Sequence, residues 1–158
     1  MILKSNSLKW LWLSLFVIIL DQLTKIWATQ TLTFNQPIAV LPFFNFTLLH
    51  NTGAAFSFLA NAGGWQRWFF TILALGVSFV LVLWLARLKS DQYGLASALA
   101  LILGGALGNV IDRLNYGYVI DFLDFYYKSS HWPAFNIADS AITIGAAILI
   151  VDAFRTTK

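Results

Sequence analysis

The stretch Leu95–Asp139, LASALALILGGALGNVIDRLNYGYVIDFLDFYYKSSHWPAFNIAD, decides how this chain is built. It opens on a run from Leu95 to Ile111 without one charged side chain, long enough to cross a hydrocarbon core with little tilt. It then delivers Asp112, Asp121, Asp124 and Asp139, four of the seven acidic residues of a protein that has no glutamate. A carboxylate near lipid costs on the order of 3 kcal/mol or more unless it is paired or faces a polar cavity, so such residues mark a functional site. Two of them close together would hold one proton between them, which is the machinery of acid–base hydrolysis.

Outward from this stretch, three more apolar segments are long enough to span a bilayer: about Leu8 to Ala28, Trp65 to Leu88, and Ile137 to Phe154. Of the 158 residues 59% are hydrophobic and 11% charged, against about 25% charged in soluble domains. The expected fold class is a mainly α membrane protein of four transmembrane helices, forming one integral membrane domain over residues 1–158. Asp21, Gln22 and Lys25 follow the first apolar run and no A-x-A-like site appears, so it reads as an uncleaved helix rather than a signal peptide. Lys4 and Lys9, Arg87 and Lys89, and Arg155 and Lys158 fall at segment ends that four crossings place on one side, which the positive-inside rule makes cytoplasmic. Both termini are then cytoplasmic, and the loop between Ile26 and Gln66, with no lysine or arginine, lies outside.

That outer loop, about residues 29–64, is too rich in apolar and β-forming residues for a solvated linker. The runs Ile38–Leu41 and Phe43–Leu49, punctuated by Pro37, Pro42 and a Gly-containing turn, predict a small β-element on the outer face. The second outer segment, about 114–135, carries Tyr116, Tyr118, Tyr126, Tyr127 and Trp132 and reads as interfacial. The absence of cysteine excludes a thiol nucleophile, a thiolate metal site and a disulfide. A net charge of +3 without a basic stripe excludes nucleic acid as a partner. There is no H-E-x-x-H and no G-x-S-x-G; His50 and His131 lack metal-ligand spacing, and a Ser–Lys arrangement using Lys25 has no motif behind it.

The polar residues of the spans collect in one layer, at the outer ends of the helices. Asp21 and Lys25, spaced i, i+4, are placed to pair. Asn109, Asp112 and Arg113 end the third span, Asn136 and Asp139 open the fourth, and Asn51 and Gly53 belong to the β-element. Bland roles fit several of these. Asp21–Lys25 and Asp112–Arg113 read as structural ion pairs, Asn136 as a cap on the fourth helix, and Asp124 as a solvated carboxylate. Asp139 is different, because the first turn of a helix favours its ionised form, and a second carboxylate nearby would be driven toward protonation. One ionised and one neutral aspartate can activate a water and protonate a leaving amide. Asp121, Asp112 and Asp124 all remain open as the partner. A four-helix carrier whose aspartates bind protons or cations would instead need polar residues at the midplane reaching both faces. An assembly factor would use the ion pairs only to lock helices together.

Several motifs, in order along nearly the whole chain, resemble those of the lipoprotein signal peptidases, also called signal peptidase II, a family of bacterial membrane aspartyl proteases. They are Asp21-Gln22-Leu23-Thr24-Lys25, Asn51-Thr52-Gly53-Ala54-Ala55-Phe56, Gly104–Arg113, Gly117–Phe122, and Phe135-Asn136-Ile137-Ala138-Asp139-Ser140. The resemblance implies Asp121 and Asp139 as the catalytic pair. It also implies supporting roles around peptide and lipid for Asp21, Lys25, Asn51, Gly53, Asn109, Asp112, Arg113 and Asn136. The implied substrate is a prolipoprotein with a diacylglyceryl group on the cysteine after the cut. The implied setting is the inner (cytoplasmic) membrane of a bacterium, within the phospholipid bilayer and with the active site at the outer, periplasmic face. The implied enzyme needs no metal or cofactor, works as a monomer and is inhibited by the cyclic peptide globomycin. Phe56, Phe58 and Trp65 are expected to rest in the interface and guide the lipid.

Overall fold

The computed structural model of the protein describes residues 6–53 and 63–156; Phe56 and Phe58 lie outside the described residues. A short 3-10 turn, Asn6–Trp10, leads into α1 (Leu11–Thr31), followed by β1 (Ile38–Leu41) and β2 (Phe44–Asn51). Next come α2 (Trp65–Arg87), α3 (Tyr93–Asn115), β3 (Val119–Tyr127), β4 (Ser130–His131) and α4 (Ile137–Thr156). Among the described residues four helices are thus long and apolar enough to cross a membrane, and a small antiparallel sheet sits at one end of them.

Local chemistry sets the boundaries. Gly63 and Gly64, both at positive φ, supply the turn into α2, and the Gly64 N–H donates to Gln66 Oε1 at 2.7 Å. The connection from α2 to α3 is only residues 88–92, so these two helices are antiparallel neighbours. They bury Leu81, Leu85 and Leu88 against Ala96, Leu99 and Leu103. At Gly117, φ +86 turns the chain out of α3 toward β3. α3 runs one turn past the end expected from hydropathy, so Asp112 and Arg113 are helical.

α3 is the central helix, and small residues let its neighbours approach closely. A Cβ on Gly145 of α4 would stand 2.7 Å from the Ala98 carbonyl oxygen, and one on Gly105 would collide with the carbonyl of Ala138. The outward surfaces of α1, α2 and α4 are apolar, with Phe16, Leu23, Ile72, Phe79 and Phe154 all exposed, as a lipid-facing perimeter requires.

The sheet order is β1-β2-β3-β4. Within the segment 114–135 the structure adds a strand that the sequence reading did not contain: VIDFLDFYY is β3 and pairs antiparallel with β2, Leu49 opposite Asp121 and Asn51 opposite Val119. The β-branched and aromatic residues of that run favour a strand, and the partner that realises it lies some 70 positions earlier. An irregularity between Phe46 and Leu49 puts one extra residue in β2, a bulge that brings Thr47 to Asp124 while Leu48 stays in the core. One side of the sheet seats Leu48, Ile120 and Phe122 on Ala28 and Leu32 at the end of α1. The sheet is therefore fixed to the same end of the bundle as Asp21, Lys25, Asn109, Asp112 and Asp139.

Candidate active site

Two sets of carboxylates occupy that end. In the first, Lys25 Nζ lies 2.8 Å from Asp21 Oδ2, 2.8 Å from Asp112 Oδ2 and 3.0 Å from Asn109 Oδ1, so all three ammonium donors are used. The three charged side chains are essentially inaccessible, at 0–1% exposure. The expected Asp21–Lys25 pair is present. The expected Asp112–Arg113 pair is not: adjacent helical positions point apart, and Asp112 turns inward to Lys25. The carboxylate oxygens also reach backbone. Asp21 Oδ1 accepts the Ala138 N–H at 2.9 Å, and Asp112 Oδ2 accepts the Ile120 N–H at 3.0 Å. Each structural carboxylate thus holds the amide immediately before Asp139 or Asp121. Gln22, which sequence reasoning left without a role although it follows Asp21, donates to Asp112 Oδ1 at 2.9 Å and completes the cluster.

The second set is Asp121 on β3 and Asp139 in the first turn of α4. Among the described residues neither carries an ion pair. Asparagines hold them instead. The fully buried Asn136 donates from Nδ2 to Asp121 Oδ1 at 2.8 Å, and its Oδ1 accepts the Asp139 N–H at 2.8 Å, which is the expected helix cap. Asn109 Nδ2 donates to Asp139 Oδ1 at 2.8 Å, linking this pair to Lys25 through its own carbonyl oxygen. Asn51 Nδ2 donates to Asp121 Oδ2 at 3.2 Å, while Asn51 Oδ1 accepts the Gly53 N–H at 3.0 Å. Arg113 Nη2 donates to the Gly53 carbonyl at 3.1 Å, and its guanidinium lies over the Phe70 ring. Burial first, and the charge of Asp139 second, push Asp121 up to about 8, against the opposing hydrogen bond from Asn51 and the more distant charge of Lys25. Asp121 is therefore a carboxylic acid at neutral pH.

Two grooves meet at this pair. One, of about 550 Å³, runs over the sheet and has Asp121 on its wall; the other, of about 570 Å³, runs along α4 past Ile142 and Ile144 and has Asp139 on its wall. Asn51 and the segment Trp132-Pro133-Ala134 line both.

Asp124 departs from the expectation of a solvated carboxylate. It is 5% exposed, and it accepts from Thr47 Oγ1 at 2.9 Å and Asn45 Nδ2 at 3.3 Å, with His131 Nδ1 2.8 Å away. Burial alone would raise it, but the His131, Thr47 and Asn45 contacts outweigh burial and hold it below the ordinary carboxylate range. Sequence reasoning missed this pairing because the partners come from two other strands, β2 and β4. Arg67 was missed as well; its Nη2 donates to the Leu114 carbonyl at 2.9 Å and fastens the start of α2 to the end of α3. Trp65 is half exposed at the same helix start, edge-on to Phe69. Among the described residues, no three His, Asp or Glu side chains converge as a metal shell would require.

The profile of the signal peptidase (SPase) II family matches residues 13–155. A lipoprotein signal peptidase of Alteromonas mediterranea is 60% identical over 96% of this chain and 84% of its own length. One of Shewanella halifaxensis is 54% identical over 98% and 91%. Among solved structures, a bacterial membrane enzyme determined by the in meso method at 2.3 Å resolution superposes with a TM-score of 0.86 at 33% identity, covering 100% of this chain and 94% of that one. A second, at 1.9 Å resolution, gives 0.80 at 33% identity, covering 97% of each chain. With the profile spanning nearly the whole chain and relatives this similar, the chain belongs to the signal peptidase II family.

Proposed function

We propose that this protein removes signal peptides from lipoproteins as an aspartic endopeptidase, cutting diacylglyceryl-modified prolipoproteins before the lipidated cysteine. The observation that carries this reading is the pair Asp121 and Asp139, two carboxyls in no ion pair among the described residues, presented by different elements at the junction of two grooves. Family membership supports the peptidase activity and the lipoprotein substrate.

In this mechanism Asp121 begins protonated, in keeping with its raised pKa, and Asp139 begins ionised at the positive end of α4. Asp139 takes a proton from a water held between the two carboxyls, and the hydroxide attacks the carbonyl carbon of the scissile peptide. The tetrahedral intermediate collapses as Asp121 gives its proton to the leaving nitrogen, so the pair exchanges protonation states and resets through solvent. Asn136 and Asn109 fix both carboxyls in place before the substrate arrives, which is the positioning such a step needs. Arg113, whose Nε is buried without a partner among the described residues, borders the Asp139 groove and supplies a donor for a substrate carbonyl.

The positive-inside pattern supports an active site at the outer face of a bacterial inner membrane. There the protein acts as a monomer without metal or cofactor and takes a globomycin-type cyclic peptide as inhibitor. The deciding experiment is a gel-shift assay of purified protein in detergent with a diacylglyceryl-modified prolipoprotein and a chelator, comparing wild type, Asp121→Asn and Asp139→Asn. Chelator-resistant cleavage lost in both variants is expected. Wild-type-like cleavage by either variant would sink the aspartate assignment. No cleavage by folded wild type would favour a carrier or assembly role.

A further inference from the structure

Of the two grooves that meet at the aspartate pair, the one along α4 is the membrane side, because Ile142, Thr143 and Ile144 belong to a spanning helix. The other lies beyond the spans, on the exposed side of the sheet, between the Phe34–Pro37 loop and the His131–Ala134 loop. A substrate whose signal helix lies in lipid enters from the first groove. Its chain beyond the cut must leave across the second, over Thr47, Asn51 and Asp124. Among the described residues, Asp124 is the only acidic group besides Asp121 that lines the second groove, and no lysine or arginine lines it. Its imidazoles are His50, exposed and in ring contact with Phe34 and Tyr118, and His131 on Asp124 itself.

We infer that the groove over the sheet is the seat of the mature part of the substrate, and that Asp124, held by Asn45, Thr47 and His131, makes it select against acidic side chains in the first few residues after the lipidated cysteine. Three hydrogen-bonding partners keep the Asp124 carboxylate fixed where a passing side chain meets it. Within a partly enclosed groove a like charge is repelled far more than in open water, and among the described lining residues only the His131 imidazole on Asp124 itself can offset it. Serine, asparagine or lysine in the same place meets acceptors and no repulsion. This inference rests on the peptidase reading and adds a discrimination which that reading alone does not contain.

The test is a pair of prolipoprotein substrates, diacylglyceryl-modified and identical except for Asp or Asn at the second and third positions after the cysteine. They are cleaved in competition by the full-length protein in detergent–lipid micelles. Wild type is expected to favour the Asn substrate by about fivefold in kcat/KM, with the ratio shrinking at high salt. Asp124→Asn is expected to bring the ratio toward one; because the readout is a ratio, a general loss of activity in the variant cancels. His131→Ala, which strips a partner from the carboxylate at a half-exposed position, is expected to widen the ratio and carries the test if Asp124→Asn does not fold. Equal cleavage of both substrates by wild type would overturn the inference, as would a preference that neither variant changes. If wild type cuts neither substrate, the peptidase reading fails and takes this proposal with it.

Discussion

The two carboxylate sets of this protein are connected through Asn109, yet they are built on opposite plans. Around Lys25 two aspartates share one cation, with every ammonium donor used and side chains that are all but inaccessible. Around Asn136 two aspartates share amides, form no ion pair among the described residues, and border open grooves. The first arrangement neutralises charge and closes; the second leaves charge unresolved and faces space that a substrate can fill. Burial alone does not distinguish them, since Asp112 and Asp121 are both inaccessible. What separates the two sets here is the chemistry of their partners.

The widest separation between the two sets is expected on removing charge. Asp121→Asn and Asp139→Asn should each lower kcat by about ten-thousand-fold in the gel-shift assay while the protein stays folded. Lys25→Met should do the reverse in kind. It strands Asp21 and Asp112 in the interior, costs about 3–5 kcal/mol, and shows as loss of folded protein by thermal unfolding in detergent. A Lys25→Met protein with normal stability would erase the distinction.

A finer separation concerns the link between the sets. Asn136→Ala removes both the hold on Asp121 and the cap on α4, so kcat should fall by about a hundredfold with KM nearly unchanged, at about 1 kcal/mol of stability. Comparable losses in kcat and KM would make Asn136 a binding rather than a positioning residue.

The smallest effects are in pH dependence, and their sign follows from Asp121. Its folded pKa of about 8 stands above the ordinary 3.8. Between those values the folded protein keeps a proton that the unfolded chain has lost, so this group's contribution to stability falls as pH rises from about 4 and levels off above about 8. Asp121→Asn should remove that slope, as read from thermal unfolding against pH. Activity should decline above about pH 8, where Asp121 no longer holds the proton the leaving nitrogen needs. A flat profile to pH 10 would assign the acid role elsewhere.

Much of this was legible in the sequence because membrane burial leaves plain marks. Four long apolar runs and one end-loaded set of polar residues gave the bundle and the layer that carries the site. Asp21 and Lys25 were readable as a pair because helical spacing is local. The partner of Asp112 was not, since the choice between Arg113 and Lys25 depends on how α1 and α3 face each other. β3 was missed for a related reason: a strand is recognised by its partner, and β2 lies across α2 and α3 from it in the chain. Residues alone left three candidates as the companion of Asp139. The same non-local pairing that forms the sheet brings Asp121 onto Asn136 and sends Asp124 to Thr47 and His131.

The glycine contacts of α3 have a mechanical consequence. Where Gly105 and Gly145 let α3 and α4 touch backbone to backbone, the two helices can tilt only as one slab when the bilayer around them thickens or thins. Asp139 rides on that slab while Asp121 rides on the sheet, and tilting would shear one past the other. The bonds from Asp21 to the Ala138 amide and from Asp112 to the Ile120 amide pin slab and sheet to a common anchor at Lys25. Hydrophobic mismatch then reorients the whole assembly in the membrane and leaves the spacing of Asp121 and Asp139 unchanged.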